Sequence, residues 1–203
     1  MSTFARIGEL SKYVGQSVTL RGWVYNKRSS GKVKFLSLRD GSGIVQVVFV
    51  KGQVPETTWD EFEKLTQETS LHVTGKVKTD TRSKLGFELD GESLQILQIA
   101  QDYPISPKEH GPDFLLSNRH LWLRSQRPYA VLKIRHAFIK AVRDFFDADG
   151  FVCVDTPIFT PAACEGTTTL FETEYFGDKA YLSQSGQLYS EAAAMAFGKV
   201  YCF

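Results

Sequence analysis

The sequence predicts an α+β chain: a small five-stranded β-barrel, then the beginning of a second unit of helices and strands. Three observations predict it. Residues 17 to 100 alternate apolar and polar positions in five short runs, with one helical stretch after the third. Four prolines crowd residues 101 to 128. From Tyr129 onward the apolar period lengthens from that of a strand to that of a helix.

The first run, SVTLRGWVYNKR, puts Val18, Leu20 and Val24 on one face and Thr19, Arg21, Trp23 and Tyr25 on the other, the period of a half-buried strand. KVKFLSLRD and IVQVVFV follow, joined by Asp40-Gly41-Ser42-Gly43; two alternating runs around an Asp-Gly turn make a hairpin. VPETTWDEFEKLTQE reads as a helix in which Thr58 and Glu61 form a capping box and Trp59, Phe62 and Leu65 share a face. SLHVTGKVKT and LGFELDGESLQILQIA supply the fourth and fifth strands. Five strands with a helix after the third match a Greek-key barrel of the OB type, assigned to residues 1–101. Residues 102–128 read as a hinge or linker. In residues 129–203, Val131, Ile134, Phe138, Val142 and Phe145 stripe a long helix that stops at Asp149-Gly150. FVCVD is then a strand halted by Thr156-Pro157, Ala180 to Ser183 another, and a helix runs from about Leu188 to Phe197.

Composition sets limits on function. With 203 residues, 42% hydrophobic and 23% charged, the chain can bury one or two cores. Lys plus Arg (24) nearly balances Asp plus Glu (23), so bulk charge draws it to neither nucleic acid nor membrane, and any nucleic-acid binding needs a local patch. Cys153, Cys164 and Cys202 have no metal-ligand spacing and suit reduced, cytoplasmic thiols. No signal peptide and no long apolar run is present. The ending, GKVYCF, is apolar and strand-like, the mark of a fragment.

The hairpin carries the first functional signal. Leu36 and Leu38 must face the core, so Phe35, Ser37 and Arg39 lie opposite; in the next strand Val45, Val47 and Phe49 face inward and Ile44, Gln46 and Val48 outward. Phe35, Gln46 and Arg39 thus share the outer face, with Lys27 and Arg28 just before the hairpin. A splayed nucleotide needs such a set: a ring for its base, an amide for its edge, cations for its phosphate. Stacking of this kind is worth roughly 1–3 kcal/mol per base. Alternation equally allows Phe35 to pack beneath a loop or against a second domain.

Two stretches beyond Pro157 are unusually polar. ACEGTTTLFE holds Glu165-Gly166, and AYLSQSGQLYSEAA runs through Ser183, Gln184, Ser185, Gly186 and Gln187 into a helix bearing Glu191. Small polar side chains at a strand end leave room for a zwitterion, with Glu165 for its ammonium and Ser185 and Gln187 completing the hydrogen bonds. Ser and Gln before a helix are also ordinary caps, and these residues alone allow both readings.

Taken in order, the segments resemble class IIb aminoacyl-tRNA synthetases, most closely the asparaginyl family. VTLRGWVYNKR…KFLSLRDGSGIVQVVF is similar to the subclass's anticodon-binding OB domain, and YPISPKEHGPDFLLSNRHLWLRS to the asparaginyl interdomain segment. IRHAFIKAVRDFFDADGFVCVDTPIFTP resembles motif 1, CEGTTTLFE the mobile loop, and YLSQSGQLYSEAAAMAFGKVYCF the amino-acid-binding strand and helix leading into motif 2. The fold implied for residues 129–203 is the start of a class II antiparallel-sheet catalytic domain. The resemblance further implies that Phe35 stacks on the central anticodon uridine, that Gln46 reads its edge, and that Arg28 contacts the anticodon stem or base. Pro157 and the motif 1 helix would build a homodimer interface, making the helical stripe an interface as much as a core. Glu165, Ser185 and Gln187 would hold the amino acid's α-ammonium.

The aspartyl relatives carry Gln-Ser-Pro-Gln-x-x-Lys, whose lysine pairs with the substrate carboxylate. Here Gln184-Ser185-Gly186-Gln187-Leu188-Tyr189-Ser190 replaces the proline by glycine and the lysine by serine, with Glu191 adjacent. A carboxylate repels an anionic side chain and accepts from an amide NH2. The charge change points to asparagine and tRNA(Asn); in the alternative Glu191 is a solvated helix residue.

Motif 2 and motif 3, which hold ATP and Mg2+ in the family, would follow Phe203. No catalytic or metal-binding residue is therefore assigned within the chain, which is expected to be inactive by itself. Neither a membrane nor DNA is an expected partner. His72, His110, His120 and His136 lack a nucleophile partner and read as packing or interface residues; Cys153 and Cys202 read as strand core, and Cys164 carries no assigned chemistry. Two rival readings are an aspartyl enzyme, one charging both tRNAs included, and a non-catalytic OB-fold RNA-binding module with a synthetase-like remnant.

Overall fold

The structure, a computed structural model, describes residues 3–161 and 170–203. They form two compact units, divided between Glu109 and His110.

The first unit contains β1 (Thr3–Ala5), a 3-10 turn (Ile7–Tyr13), β2 (Ser17–Ser30), β3 (Val33–Arg39), β4 (Ile44–Val50), α1 (Glu56–Lys64), β5 (Ser70–Thr79) and β6 (Phe87–Gln98). Alternation of apolar and polar residues leaves one face of each strand to bury, and the sheet meets that need by closing on itself. Its order is β1-β2-β3-β4-β6-β5, with β2 also paired to β5. β4 and β6 run parallel, the Greek-key step, and no long edge stays open between β2 and β5. Leu20, Leu36, Leu38, Val47, Leu71 and Leu89 are wholly buried inside. α1 lays Phe62 into the same core, edge-on to Phe49 at 6.0 Å. Phe49 also dictates a glycine: a Cβ at Gly91 would fall 2.4 Å from its ring. The predicted β3–β4 turn forms around Asp40. Its Oδ1 accepts from the amides of Ser42 (2.7 Å) and Gly43 (3.0 Å), and its Oδ2 from the amide of Ile7 (2.9 Å).

Three local expectations need correction. β1 adds a strand, paired parallel to β2. β2 continues past a bulge between Val24 and Asn26 to Ser30, so Lys27 and Arg28 lie within a strand paired to β3. α1 begins at Glu56 after Pro55, and Thr58 is buried inside it rather than capping it, because the extended backbone of proline starts the helix three residues earlier.

The second unit contains α2 (Pro112–Ser117), α3 (Arg119–Trp122), α4 (Gln126–Ala148), β7 (Val152–Cys153), β8 (Phe159–Thr160), β9 (Glu172–Tyr175), β10 (Asp178–Leu182), α5 (Gln187–Phe197) and β11 (Val200–Tyr201). β8, β10 and β9 form an antiparallel sheet, and β7 pairs with β11 in parallel. Helices stand where the prolines suggested only linker. Pro112 is the first residue of α2 and Pro128 lies in the first turn of α4, where the missing N–H costs nothing. α4 ends as expected, with Gly150 left-handed at φ +79°. Its packed face is offset from the predicted stripe: Ile139, Val142 and Phe146 are half-buried, and Phe146 stacks on Tyr201 at 4.8 Å. Val131, Ile134, Phe138 and Phe145 are exposed among the described residues. So are Cys153 and Cys202, contrary to their reading as core.

Candidate functional site

β3 and β4 alternate buried and half-buried residues along their whole length. Their outer face and the β5–β6 turn enclose an open groove of about 870 Å³, lined by Arg28, Phe35 and Gln46 from the sheet, Arg82 and Lys84 from the turn and Glu88 from β6. The three residues predicted for this face are thus brought together. Arg28 and Phe35 are cross-strand partners, and the guanidinium lies 4.3 Å from the ring centroid, a cation–π contact that sets both planes. Gln46 donates from Nε2 to Glu88 Oε2 (3.1 Å). Glu88 is nearly wholly buried and pairs through Oε1 with Lys78 (2.8 Å), which also reaches Asp90 (2.6 Å). These hydrogen bonds, Asp90 first and Glu88 second, hold the Lys78 ammonium above its ordinary pKa. At the rim Arg82 Nε donates to Asp80 (3.0 Å), and that contact holds the Asp80 carboxyl below its usual range.

Two predicted cations do not serve the groove. Arg39 Nη2 donates to both carboxylate oxygens of the buried Glu68 (3.0 and 2.8 Å), and the guanidinium lies over Trp23. Lys27 donates to the carbonyls of Phe62 (3.1 Å) and Glu63 (2.8 Å) at the end of α1, where a cation satisfies groups the helix leaves open. Burial lowers its pKa. Arg82 and Lys84 replace them; both were readable as charges in a turn between strands. Glu88 was not, because its place beside Gln46 follows from the parallel β4–β6 register. His72 is half-buried and edge-on to Phe4 at 5.9 Å, a packing role.

In the second unit the polar run after β10 is held by its own hydrogen bonds. Ser183 Oγ donates to the Ser185 carbonyl (2.9 Å), and the amide of Gln187 donates to Ser185 Oγ (3.1 Å). Ser185 thus braces the residue that opens α5 from just ahead of the N-cap, Gly186. The amide of Ser183 donates to the Ile158 carbonyl (2.8 Å), seating the run on the segment after Pro157. Gly186 is required there: a Cβ would lie 2.8 Å from Thr156 Cγ2. The side chains of Ser185, Gln187 and Glu191 are exposed, Gln187 and Glu191 one turn apart on α5. Pro157 is exposed as well. Glu165, expected to face this run, lies outside the described residues, as does Cys164. Among the described residues no group of three or more His, Cys, Asp or Glu could hold a metal ion, and no helix is long and apolar enough to cross a membrane.

Comparison with known families follows the same division. The barrel, over residues 18–97, matches the model for OB-fold nucleic acid binding domains. Residues 111–203 match the model for class II tRNA synthetases (D, K and N). Over residues 111–203 the chain is therefore similar to the class II tRNA synthetases of the D, K and N group. Within this synthetase group it is 57% identical over 196 residues to the asparagine–tRNA ligase of Sorangium cellulosum, covering 96% of this chain and 44% of that protein. It is 55% identical over 199 residues to that of Thermus thermophilus, covering 97% and 45%. The crystal structure of asparaginyl-tRNA synthetase from Pyrococcus horikoshii, complexed with asparaginyl-adenylate, matches all of this chain and 47% of its own at a TM-score of 0.89 and 40% identity. The chain therefore spans under half the length of its synthetase relatives, as an OB-fold domain followed by the start of the class II fold.

Proposed function

We propose that the protein carrying this chain is an asparagine–tRNA ligase, which activates asparagine with ATP and transfers it to tRNA(Asn). Residues 1–101 are its anticodon-binding domain, 102–128 a hinge that carries α2 and α3, and 129–203 the start of its catalytic domain. The observation that carries the reading is the run Gln184 to Glu191, which offers an amino acid small polar groups and one carboxylate, Glu191, with no cation. The names of relatives 55–57% identical support it.

On this reading Glu165, Ser185 and Gln187 hold the α-ammonium of asparagine, and Glu191 accepts from the carboxamide NH2 while repelling a carboxylate. The substrate carboxylate attacks the α-phosphorus of ATP and pyrophosphate leaves; the acyl group then passes to the terminal ribose hydroxyl of tRNA and AMP leaves. The protein's part is positioning and neutralisation of charge. The described residues contain no cluster fit for Mg2+, so neither that ion nor the ATP phosphates are assigned to them. At the other end Phe35 stacks on the central anticodon base, Gln46 meets its edge and Arg28 contacts the anticodon stem or base. Pro157 and the exposed stripe of α4 contribute to a homodimer interface, in the cytoplasm.

Amino-acid-dependent exchange of pyrophosphate into ATP by the full-length protein tests the proposal. Asparagine should support exchange at least about 100-fold better than aspartate, the scale set by a misplaced charge. Exchange supported by aspartate, with asparagine inert, would favour the aspartyl reading.

A further inference from the structure

β2 changes its pairing partner half-way along, and the change decides which cation reaches the groove. Up to Val24 the even-numbered residues of β2 are buried, and Trp23, opposite Arg39, is exposed. Plain alternation would carry on with Asn26 and Arg28 inward and Lys27 outward. The register runs the other way. Tyr25 is left out of the β2–β3 pairing as a bulge, and beyond it Asn26, Lys27 and Arg28 stand opposite Ser37, Leu36 and Phe35. One extra residue exchanges the two faces. Arg28 joins Phe35 outside, and Lys27 joins Leu36 on the inner side, where it meets the end of α1.

The bulge sits beside a second irregularity. On its other edge β2 pairs with β5 as far as Trp23 and Ser70. Val24 then donates to the Thr69 carbonyl (2.9 Å) and accepts from the Glu68 amide (2.8 Å). Two residues thus face one, and the first of them, Glu68, is left-handed at φ +66°, a place usually left to glycine. Such strain persists only where the surroundings hold it. Here the buried Glu68 carboxylate takes both hydrogen bonds from Arg39 Nη2. The pair ties the entry of β5 to β3 across β2, next to the bulge. It is not arranged for stability: among the described residues Arg39 Nε is buried without a partner. Buried ion pairs add little net stability, and their best-attested use is to fix register.

We propose that Glu68 and Arg39 act as positioning residues that pin the Tyr25 bulge and so set Arg28, rather than Lys27, beside Phe35 in the groove. Lys27 in that place would offer a point charge instead of a planar guanidinium that stacks on the ring. The inference deepens the reading of the groove as an anticodon site, and rests on it for the effect on RNA binding.

Arg39→Met combined with Glu68→Gly removes both charges and gives the left-handed position to the residue that suits it. Cross-strand NOEs in the chain read the register. The native chain should show one set, joining Arg28 to Phe35. The double variant should show a set joining Lys27 to Phe35, and its affinity for an anticodon stem-loop should fall about tenfold, the scale of one lost charge-assisted contact. A folded variant whose NOEs still join Arg28 alone to Phe35 would overturn the inference, whatever its affinity. Deletion of Tyr25 from the double variant supplies a rescue that a merely structural pair would not allow. Val24 is then followed directly by Asn26, alternation alone puts Arg28 outside, and both NOEs and affinity should return to native. Should the double variant not fold, the same deletion decides. A triple variant that folds with Arg28 beside Phe35 supports the pin; one that stays unfolded shows that the pair holds the core instead, and overturns it. A native chain that binds the stem-loop no better than an unrelated hairpin would overturn the anticodon reading and leave the register to be judged by the NOEs.

Discussion

The barrel covers its own apolar face and the second unit does not. Val18, Leu36, Val47, Leu71 and Leu89 come from five strands and all reach essentially zero exposure. The second unit also forms its helices and short strands, yet Ile134 is 70%, Met195 91% and Phe176 92% exposed. Local pattern is enough to make an element, since helix and strand hydrogen bonds and the period of apolar residues are local. Burial needs a second surface. The barrel finds it by closing within about a hundred residues; the second unit's described residues do not supply it, in a chain under half the length of its relatives.

The contrast is broken most directly by truncation of large side chains. Phe49→Ala should cost about 3–5 kcal/mol in urea unfolding of the barrel, while Ile134→Ala on α4 should stay within about 0.5 kcal/mol. Equal losses at the two sites would erase the distinction. Next in size, Gly91→Ala should destabilise the barrel by about 1–3 kcal/mol, because its Cβ would meet the Phe49 ring. The matching substitution in the second unit, Gly186→Ala, should leave barrel unfolding untouched. It should weaken asparagine binding by the full-length protein about tenfold or more through displacement of the Ser185 turn. Thr156→Ala in the same molecule removes the methyl that the new Cβ would strike, so the double variant should recover most of the loss in an isothermal titration.

The smallest effect is electrostatic. Lys34 is 2% exposed, donates to the Trp59 carbonyl (2.6 Å) and pairs with Glu63 at 2.7 Å. The hydrogen bond from Lys34 holds the Glu63 carboxyl below its ordinary value of 4.5. A carboxyl held low in the fold contributes stability that is fully present above pH 4.5 and fades as pH falls through the lowered value. Glu63 is solvent-exposed, so the contribution is under about 1 kcal/mol. Glu63→Gln should flatten the acid limb of the barrel's stability curve by that amount, and an unchanged limb would remove the pair from the account.

How far the sequence led depended on where each residue's partner lay. Strands β2 to β6, the Asp40 turn and the Gly150 stop were legible because their signals are local. Phe35 and Gln46 followed from alternation once Leu36 and Val47 were placed inside. Arg39 and Lys27 were not legible as structural cations, because their partners, Glu68 and the carbonyl end of α1, stand 29 and 35 or more positions away. Pro112 and Pro128 looked like breakers but open helices, a distinction set by position in the first turn. The stripe on α4 shows that apolar spacing marks a face without saying what covers it, and the packed face proved to be the neighbouring one.

The central claim is that the outer face of β3 and β4 is a stacking site for an unpaired base, and one binding measurement tests it most directly. Fluorescence titration of the chain with an anticodon stem-loop should give an affinity that Phe35→Ala weakens by about 1–3 kcal/mol, with the unfolding midpoint of the barrel held. An alanine variant that binds the stem-loop as tightly as the native chain would contradict the claim.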